Sequence, residues 1–323
     1  MQVHFTTADG VTDHEHSDVP DLMTRTDGFV WVDVPVLDDA AEDLLVRQFR
    51  IHQRALEAMH TRNHVPTVHV YDQHTFLVLH APLLGAAGHV HLLELDLLVG
   101  GDHLITVHGP LNPIVDPAEA HIETEAVLAR LRAGRLIARS PLKVAYAISS
   151  ALARRQRDLI GAVAERLPTL EQEVMSSQFR QPEALLEQLF LIRHELTTAR
   201  TMAAQSHEVM ARMVSIDPRI STEDADLLRD LADQFDRVRS IGDGESHFLI
   251  GVIDLYQTKV NTKMTVAMER LAVIAAVTLP ITALSSVYGM NILDKTVELT
   301  IVIGVMVVMS FVLLRWTHRQ GWW

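Results

Sequence analysis

The chain has 323 residues, a formal net charge of −13 and no cysteine. That length allows one to three domains. The missing thiols exclude disulfides, thiolate metal sites and cysteine nucleophiles, in keeping with a reducing compartment. The acidic balance argues against nucleic acid as a partner, because phosphate binding needs a basic surface. Residues 1–45 alone hold eleven acids, from Asp9 to Asp43, against the single base Arg25. A field of that sign gathers cations, although ordinary solubility explains it equally well.

The opening MQVHFTTADGVTDHEH has neither the basic nor the apolar run of a secretory signal, so the polar part of the chain is expected to stay where it is made. Within it, Asp13-His14-Glu15-His16 is the one cluster spaced like a metal site, in a segment expected to be mobile. Strand signals, rich in Val, Leu, Ile and aromatics, follow at 29–34, 66–71, 75–80, 91–99 and 103–108. DAAEDLLVRQFRI and HQRALEAMH read as helices around residues 39–60. Together these predict a compact α/β domain with a mixed sheet.

After Pro117 the pattern is helical almost throughout. Ser140-Pro141 begins one long helix with an N-cap and an N1 proline, and Gln181-Pro182 begins another. Asp217-Pro218 ends that second helix, and Ser221-Thr222-Glu223-Asp224 caps a third. From Ser221 to Met290 the only proline is Pro280. That is one helix on the order of 100 Å, at ~1.5 Å per residue.

Two charge-free runs close the chain, Leu271–Met290 and Leu299–Leu314. The first is long enough for a ~30 Å hydrocarbon core, and flanking residues can extend the second. Lys259, Lys263 and Arg270 precede the first run, and Arg315 and Arg319 follow the second. Basic flanks mark the cytoplasmic side, so both termini are expected there, with the connecting loop outside. Trp316, Trp322 and Trp323 suit a membrane interface. The expected division is an α/β domain over 1–135, a long-helix stalk over 136–266 and a membrane domain over 267–323. Its spans lie near 271–290 and 299–316, around an outer loop at 291–298.

Two helices cannot enclose a water-filled path, so the spans either anchor the soluble part or assemble with other copies. Met268, Leu271, Ala272, Ala275, Leu279, Thr282, Ser286 and Gly289 recur at steps of three and four on one face of the first span. That face is mostly small or hydroxylated. Val273, Ile274, Val277, Ile281, Leu284 and Val287, on other faces, are bulky and tolerate lipid. Close helix packing and a lumen account equally well for the small face. Pro280 is expected to kink the span. Gly289 can leave the helix cheaply. Asn291 then places an uncharged amide at the outer surface, where it serves either as a simple cap or, repeated around an axis, as a ring of oxygens. Such a ring suits Mg²⁺, which sheds water reluctantly.

Tyr288-Gly289-Met290-Asn291, between an apolar span and a second short one, resembles the signature of the CorA-type magnesium transporters. Leu279-Pro280-Ile281-Thr282, Met268-Glu269-Arg270-Leu271 and Arg229-Asp230-Leu231-Ala232-Asp233 resemble further segments of that family, as do His52 to Leu56-Glu57 and Val65-Pro66 with the later FLVL. The resemblance implies a funnel-shaped homopentamer in the plasma membrane, with no catalytic residue. Gly289, Met290 and Asn291 would form the selectivity filter. Thr282, Leu279, Leu271, Met268 and Thr265 would line the pore from outside inward, with Leu271 and Met268 as its hydrophobic constriction. Asp230, Asp233 and Glu57 would hold regulatory Mg²⁺ between subunits, the same ion that is transported. Three features depart from the family pattern: Ala58 stands where an acid often follows Glu57, Ile-Leu-Asp-Lys replaces the usual loop after Asn291, and the C-terminal basic cluster is reduced to Arg315 and Arg319.

Of eighteen histidines, fourteen precede residue 122. Imidazole suits Zn²⁺, Ni²⁺ or Cu²⁺ better than Mg²⁺. A proton-coupled zinc transporter of the same superfamily is therefore the alternative, with Co²⁺, Ni²⁺ or Zn²⁺ as further cargo. A membrane-anchored metal sensor is a more distant alternative. The expected reading of the histidines themselves is a scatter over the surface, with His69 and His80 spaced for strand alternation. The chain has no Gly-rich phosphate loop and no nucleophile elbow, so no enzyme is expected.

Overall fold

Residues 1–176, 182–289 and 296–319 are described by a computed structural model. The chain divides into two units, Met1–Ile250 and Gly251–Trp323.

The first unit begins with strands β1 (Gln2–Thr7) and β2 (Gly10–His14) and a short helix α1 (Val19–Leu22). Strand β3 (Gly28–Val34) and helices α2 (Asp39–Arg47) and α3 (Gln53–His60) follow. Strands β4 (Thr67–Val70), β5 (His74–Leu84), β6 (Val90–Gly100) and β7 (His103–His108) complete a seven-stranded sheet of order β2-β1-β3-β7-β6-β5-β4. The sheet is mixed, as its sequence predicts. β3 and β7 run parallel, with Asp33 opposite Thr106, and the other neighbouring strands are antiparallel.

The five strands expected from the sequence are all present, and β5 and β6 are longer than their apolar runs. The expected mobile N-terminus is a correction: it pairs as the β1–β2 hairpin on the sheet edge, His4 opposite Asp13. Thr-rich, half-polar strands carry a weak hydropathy signal, and their pairing with β3 supplies the order that their own sequence does not advertise. The Asp13–His16 cluster is accordingly dispersed. Asp13 takes a hydrogen bond from Arg132 at 2.6 Å and lies 2.7 Å from His4 Nδ1, so its carboxylate is already used. Helix α2 also stops before its predicted end, and Arg50 adopts a left-handed conformation with φ 51°.

Helices α4 (Ala118–Arg132), α5 (Pro141–Ala164), α6 (Leu167–Met175) and α7 (Pro182–Ile216) continue the first unit, and α8 runs Thr222–Gly289. Local chemistry sets their ends. The Ser140 hydroxyl accepts from Lys143 N at 3.3 Å, with Pro141 in the first turn. Asp224 N donates to Ser221 Oγ at 3.1 Å, which opens α8 as its sequence predicts. Pro168 falls in the first turn of α6, after α5 has ended at Ala164. Arg219 ties the α7–α8 turn to the sheet, reaching Asp217 Oδ2 at 2.8 Å and Thr75 Oγ1 at 2.7 Å, and Thr75 in turn donates to Asp217.

Strand alternation divides the buried residues between two faces. Val30, Val32, Val78, Leu98, Ile105 and Val107 pack with Leu45, Ala55 and Met59 of α2 and α3. Trp31, Leu79, Leu97 and Leu104 pack with Leu128, Ile148, Met210, Leu231 and Phe235 of α4, α5, α7 and α8. Because both faces are covered, polar side chains on the strands are buried too. His4, His74, His80, His91, His103 and His108 are all buried, which corrects the expectation of surface histidines.

Asp96 of β6 is fully buried beside Glu94. Burial, and then the Glu94 charge, push its carboxyl well above the usual range. The folded state therefore holds a proton that the unfolded chain loses above the ordinary carboxylate pKa, and stability falls as pH rises from there through the folded-state value. Asp96→Asn keeps the shape and the donor of the protonated acid and cannot ionise. Thermal unfolding of the detergent-solubilised chain should show this variant more stable than the parent at pH ~8, with the gap shrinking towards pH ~4.

Candidate functional site

The α8 residues in the second unit stand along one strip of helix. Met268, Leu271 and Leu279 are 60%, 65% and 66% exposed, and Thr265 and Thr282 are exposed as well. Each threonine hydroxyl bonds back to a carbonyl one turn earlier, Thr265 to Asn261 at 3.0 Å and Thr282 to Thr278 at 2.8 Å. The chain thus presents a row of large apolar groups interrupted by hydroxyls whose oxygens can still accept. Ala275, in the middle of the strip, is half-buried.

The bulky positions of α8 do not all face outward as the sequence suggested. Val273, Val277, Ile281 and Leu284 are half-buried, and Ile274 is 58% exposed. On α9 (Thr296–Arg319), Val302, Met306, Met309, Leu313 and Thr317 form the buried or half-buried stripe. Ser285 Oγ meets Met306 Sδ at 4.0 Å, which joins the two helices within this unit. Four of the bulky positions are thus partly covered, while Met268, Leu271 and Leu279 on the strip are left open. α8 continues through Pro280 as helix to Gly289. Met290 and Asn291, the rest of the expected filter, lie outside the described residues. Both α8 and α9 contain segments long and apolar enough to cross a membrane.

The expected regulatory acids lie in the first unit. Asp230 is exposed on α8 and accepts from Tyr146 Oη and from Gln234 Nε2, each at 2.6 Å. The Tyr146 hydrogen bond, followed by that of Gln234, holds its carboxyl below the usual range. Asp230 is therefore an ionised acid held in a fixed orientation by α5. Asp233, one turn on, is exposed. Glu57 is exposed on α3 and accepts from Gln53 Nε2 at 2.9 Å. Helix α3 covers one face of the sheet and α8 covers the other, so one chain does not bring Glu57 to Asp230 and Asp233.

One group escaped the sequence reading. Asp33, His108 and His121 each offer a ligand atom within 4.8 Å of the others. Their separations of 75 and 13 residues carry no spacing signal; the β3–β7 pairing brings Asp33 to His108, and the packing of α4 adds His121.

An α/β unit followed by two helices long and apolar enough to cross a membrane is the architecture of a membrane protein. Residues 26–319 match the family described as CorA-like Mg²⁺ transporter protein, and the chain belongs to that family of transporters. The cobalt/magnesium transport protein CorA of Thermotoga maritima is 21% identical over 285 residues, covering 85% of this chain and 77% of its own. The complete structure of the CorA magnesium transporter from Methanocaldococcus jannaschii superposes with TM-score 0.80 at 16% identity, over 100% of this chain and 99% of the other. The ZntB cytoplasmic domain from Vibrio parahaemolyticus superposes with TM-score 0.62 at 11% identity, over 81% and 98% respectively. These structural likenesses concern the fold.

Proposed function

We propose that the chain is a magnesium channel of the plasma membrane, assembled as a homopentamer with its α8 helices around the axis and its termini in the cytoplasm. The observation that carries this reading is the open α8 strip. Met268, Leu271 and Leu279 are exposed in the single chain, on a helix where Val273, Val277, Ile281 and Leu284 are half-buried. The small and hydroxylated residues interleaved with them suit close neighbours and a lumen.

Along the axis, Leu271 and Met268 form an apolar constriction that closes by narrowing and dewetting. Thr282 offers oxygens above it. The filter is Gly289, Met290 and Asn291, whose amide and backbone oxygens hydrogen-bond the hydration shell of Mg²⁺ without stripping it. Uptake is passive, since each divalent ion gains about 4.6 kcal/mol for every ~100 mV of inward potential. Asp230 and Asp233 of one subunit, with Glu57 of the next, bind cytosolic Mg²⁺ and favour the closed state. Their separation on opposite sides of one sheet supports a site shared between copies.

The filter is checked by Mg²⁺ flux into proteoliposomes. Asn291→Ala should lower flux by at least about tenfold, equivalent to ~1.4 kcal/mol of barrier. Unchanged flux removes Asn291 from the filter. Zn²⁺ uptake that requires a proton gradient, with no Mg²⁺ flux, would instead identify the zinc-transporter alternative.

For the gate, Asp230→Asn combined with Asp233→Asn should leave the channel conducting at millimolar cytosolic Mg²⁺, where the parent closes. Normal closure of the double variant rejects these acids as the sensor.

Because the parent has no cysteine, single-cysteine variants report assembly directly. Leu271→Cys should form disulfide-linked dimers under mild oxidation in membranes, and Phe311→Cys, exposed on α9, should do so far less. The reverse pattern would place α9 at the axis.

A further inference from the structure

Asp33 is the penultimate residue of β3, His108 ends β7, and His121 lies in the first turn of α4. The group therefore sits at the carboxyl ends of the sheet's parallel strand pair, near the position at which open sheets present ligand sites. Asp33 Oδ1 is 3.0 Å from His108 Nε2, and the His108 and His121 rings meet edge-on with centroids 4.1 Å apart. Donors around a tetrahedral ion, each ~2.0–2.1 Å from it, stand ~3.3 Å from one another. The observed spread of up to 4.8 Å needs only a small contraction to reach that spacing.

Three features make this a built site. The His108 side chain is 1% exposed, and its Nδ1 is buried with no hydrogen-bond partner. An ion shared with Asp33 would be met by the other ring nitrogen, Nε2, which faces that carboxylate at 3.0 Å. Asp33 is oriented from behind: Trp31 Nε1 donates to Thr106 Oγ1 at 3.1 Å, and Thr106 donates to Asp33 Oδ1. Hydrogen-bonded chains of this kind fix ligand geometry in metal sites. The neighbouring cation Arg155 is occupied by Glu119 and Glu123, at 2.9 and 3.3 Å. His121 is only half-buried, which leaves a way in from solvent.

We propose that Asp33, His108 and His121 bind one late first-row divalent ion of the Zn²⁺ class, with water completing its coordination. Two imidazoles and a carboxylate select such ions and discriminate against Mg²⁺, which prefers all-oxygen octahedral shells. The ion clamps the start of α4 to the ends of β3 and β7. The site uses none of the residues assigned to the transport path, and it gives His108 a role without making zinc the cargo.

The test uses the full chain in detergent, stripped of metal with a chelator and titrated with Co²⁺ alone. The parent should develop the intense visible bands of tetrahedral Co²⁺, saturating at one ion per chain, displaced by Zn²⁺ and retained in excess Mg²⁺. His121→Ala removes a half-buried ring from a helix and should weaken this binding at least about tenfold, and Asp33→Asn should do likewise. Zn²⁺ should raise the unfolding temperature of the parent and leave that of His121→Ala unmoved, while Mg²⁺ flux through His121→Ala stays at the parental level. Parental Co²⁺ bands in His121→Ala would overturn the assignment. So would a parent that gives only the weak octahedral spectrum erased by Mg²⁺, which would leave Asp33 and His108 as a hydrogen-bonded pair supporting the fold.

Discussion

The first unit rests on one constraint: a seven-stranded sheet covered by helices on both faces. Burying both faces turns alternate strand positions into two cores, one under α2 and α3 and the other under α4, α5, α7 and α8. No strand residue in the middle of the sheet retains a solvent side. Polar groups caught there must find partners or remain neutral. Asp33 takes hydrogen bonds from Thr106 and His108, Glu94 takes two from Asn63, and Asp96 holds its proton.

The same constraint bears on control. With α3 on one face and α8 on the other, Glu57 and Asp230 cannot share an ion within a chain, and a sensor using both requires a second copy. The Tyr146 hydroxyl orients the Asp230 carboxylate and lowers its pKa, which would suit the proposed sensor. Ala58, where an acid is often found, leaves Glu57 as the carboxylate that α3 offers near that position.

In the second unit the deciding quantity is exposure. Val273, Val277, Ile281 and Leu284 of α8 are half-buried, while Met268, Leu271 and Leu279 stay open together with Thr265 and Thr282. Family membership makes the chain a divalent-metal transporter. The open strip is the surface that the proposed assembly around an axis would cover.

Much of this was legible in the sequence for a local reason. Helix caps at Ser140 and Ser221, breaks at Pro168 and Pro218, the two apolar runs and the Tyr288–Asn291 string each act over a few residues, and side-chain chemistry at that range reads directly. The β1–β2 hairpin was not legible, because its Thr- and His-rich strands owe their order to pairing with β3. Nor were the six buried histidines, because a strand's alternation says which residues share a face but not whether that face is covered. Asp33 lies 75 residues from His108, and it takes strand pairing together with the packing of α4 to bring both to His121. The sequence by itself determined the five central strands, the long helices, the two apolar runs and the family. Only the tertiary structure decided which polar residues are buried and which of them meet, because those facts depend on contacts between distant segments that no local pattern encodes.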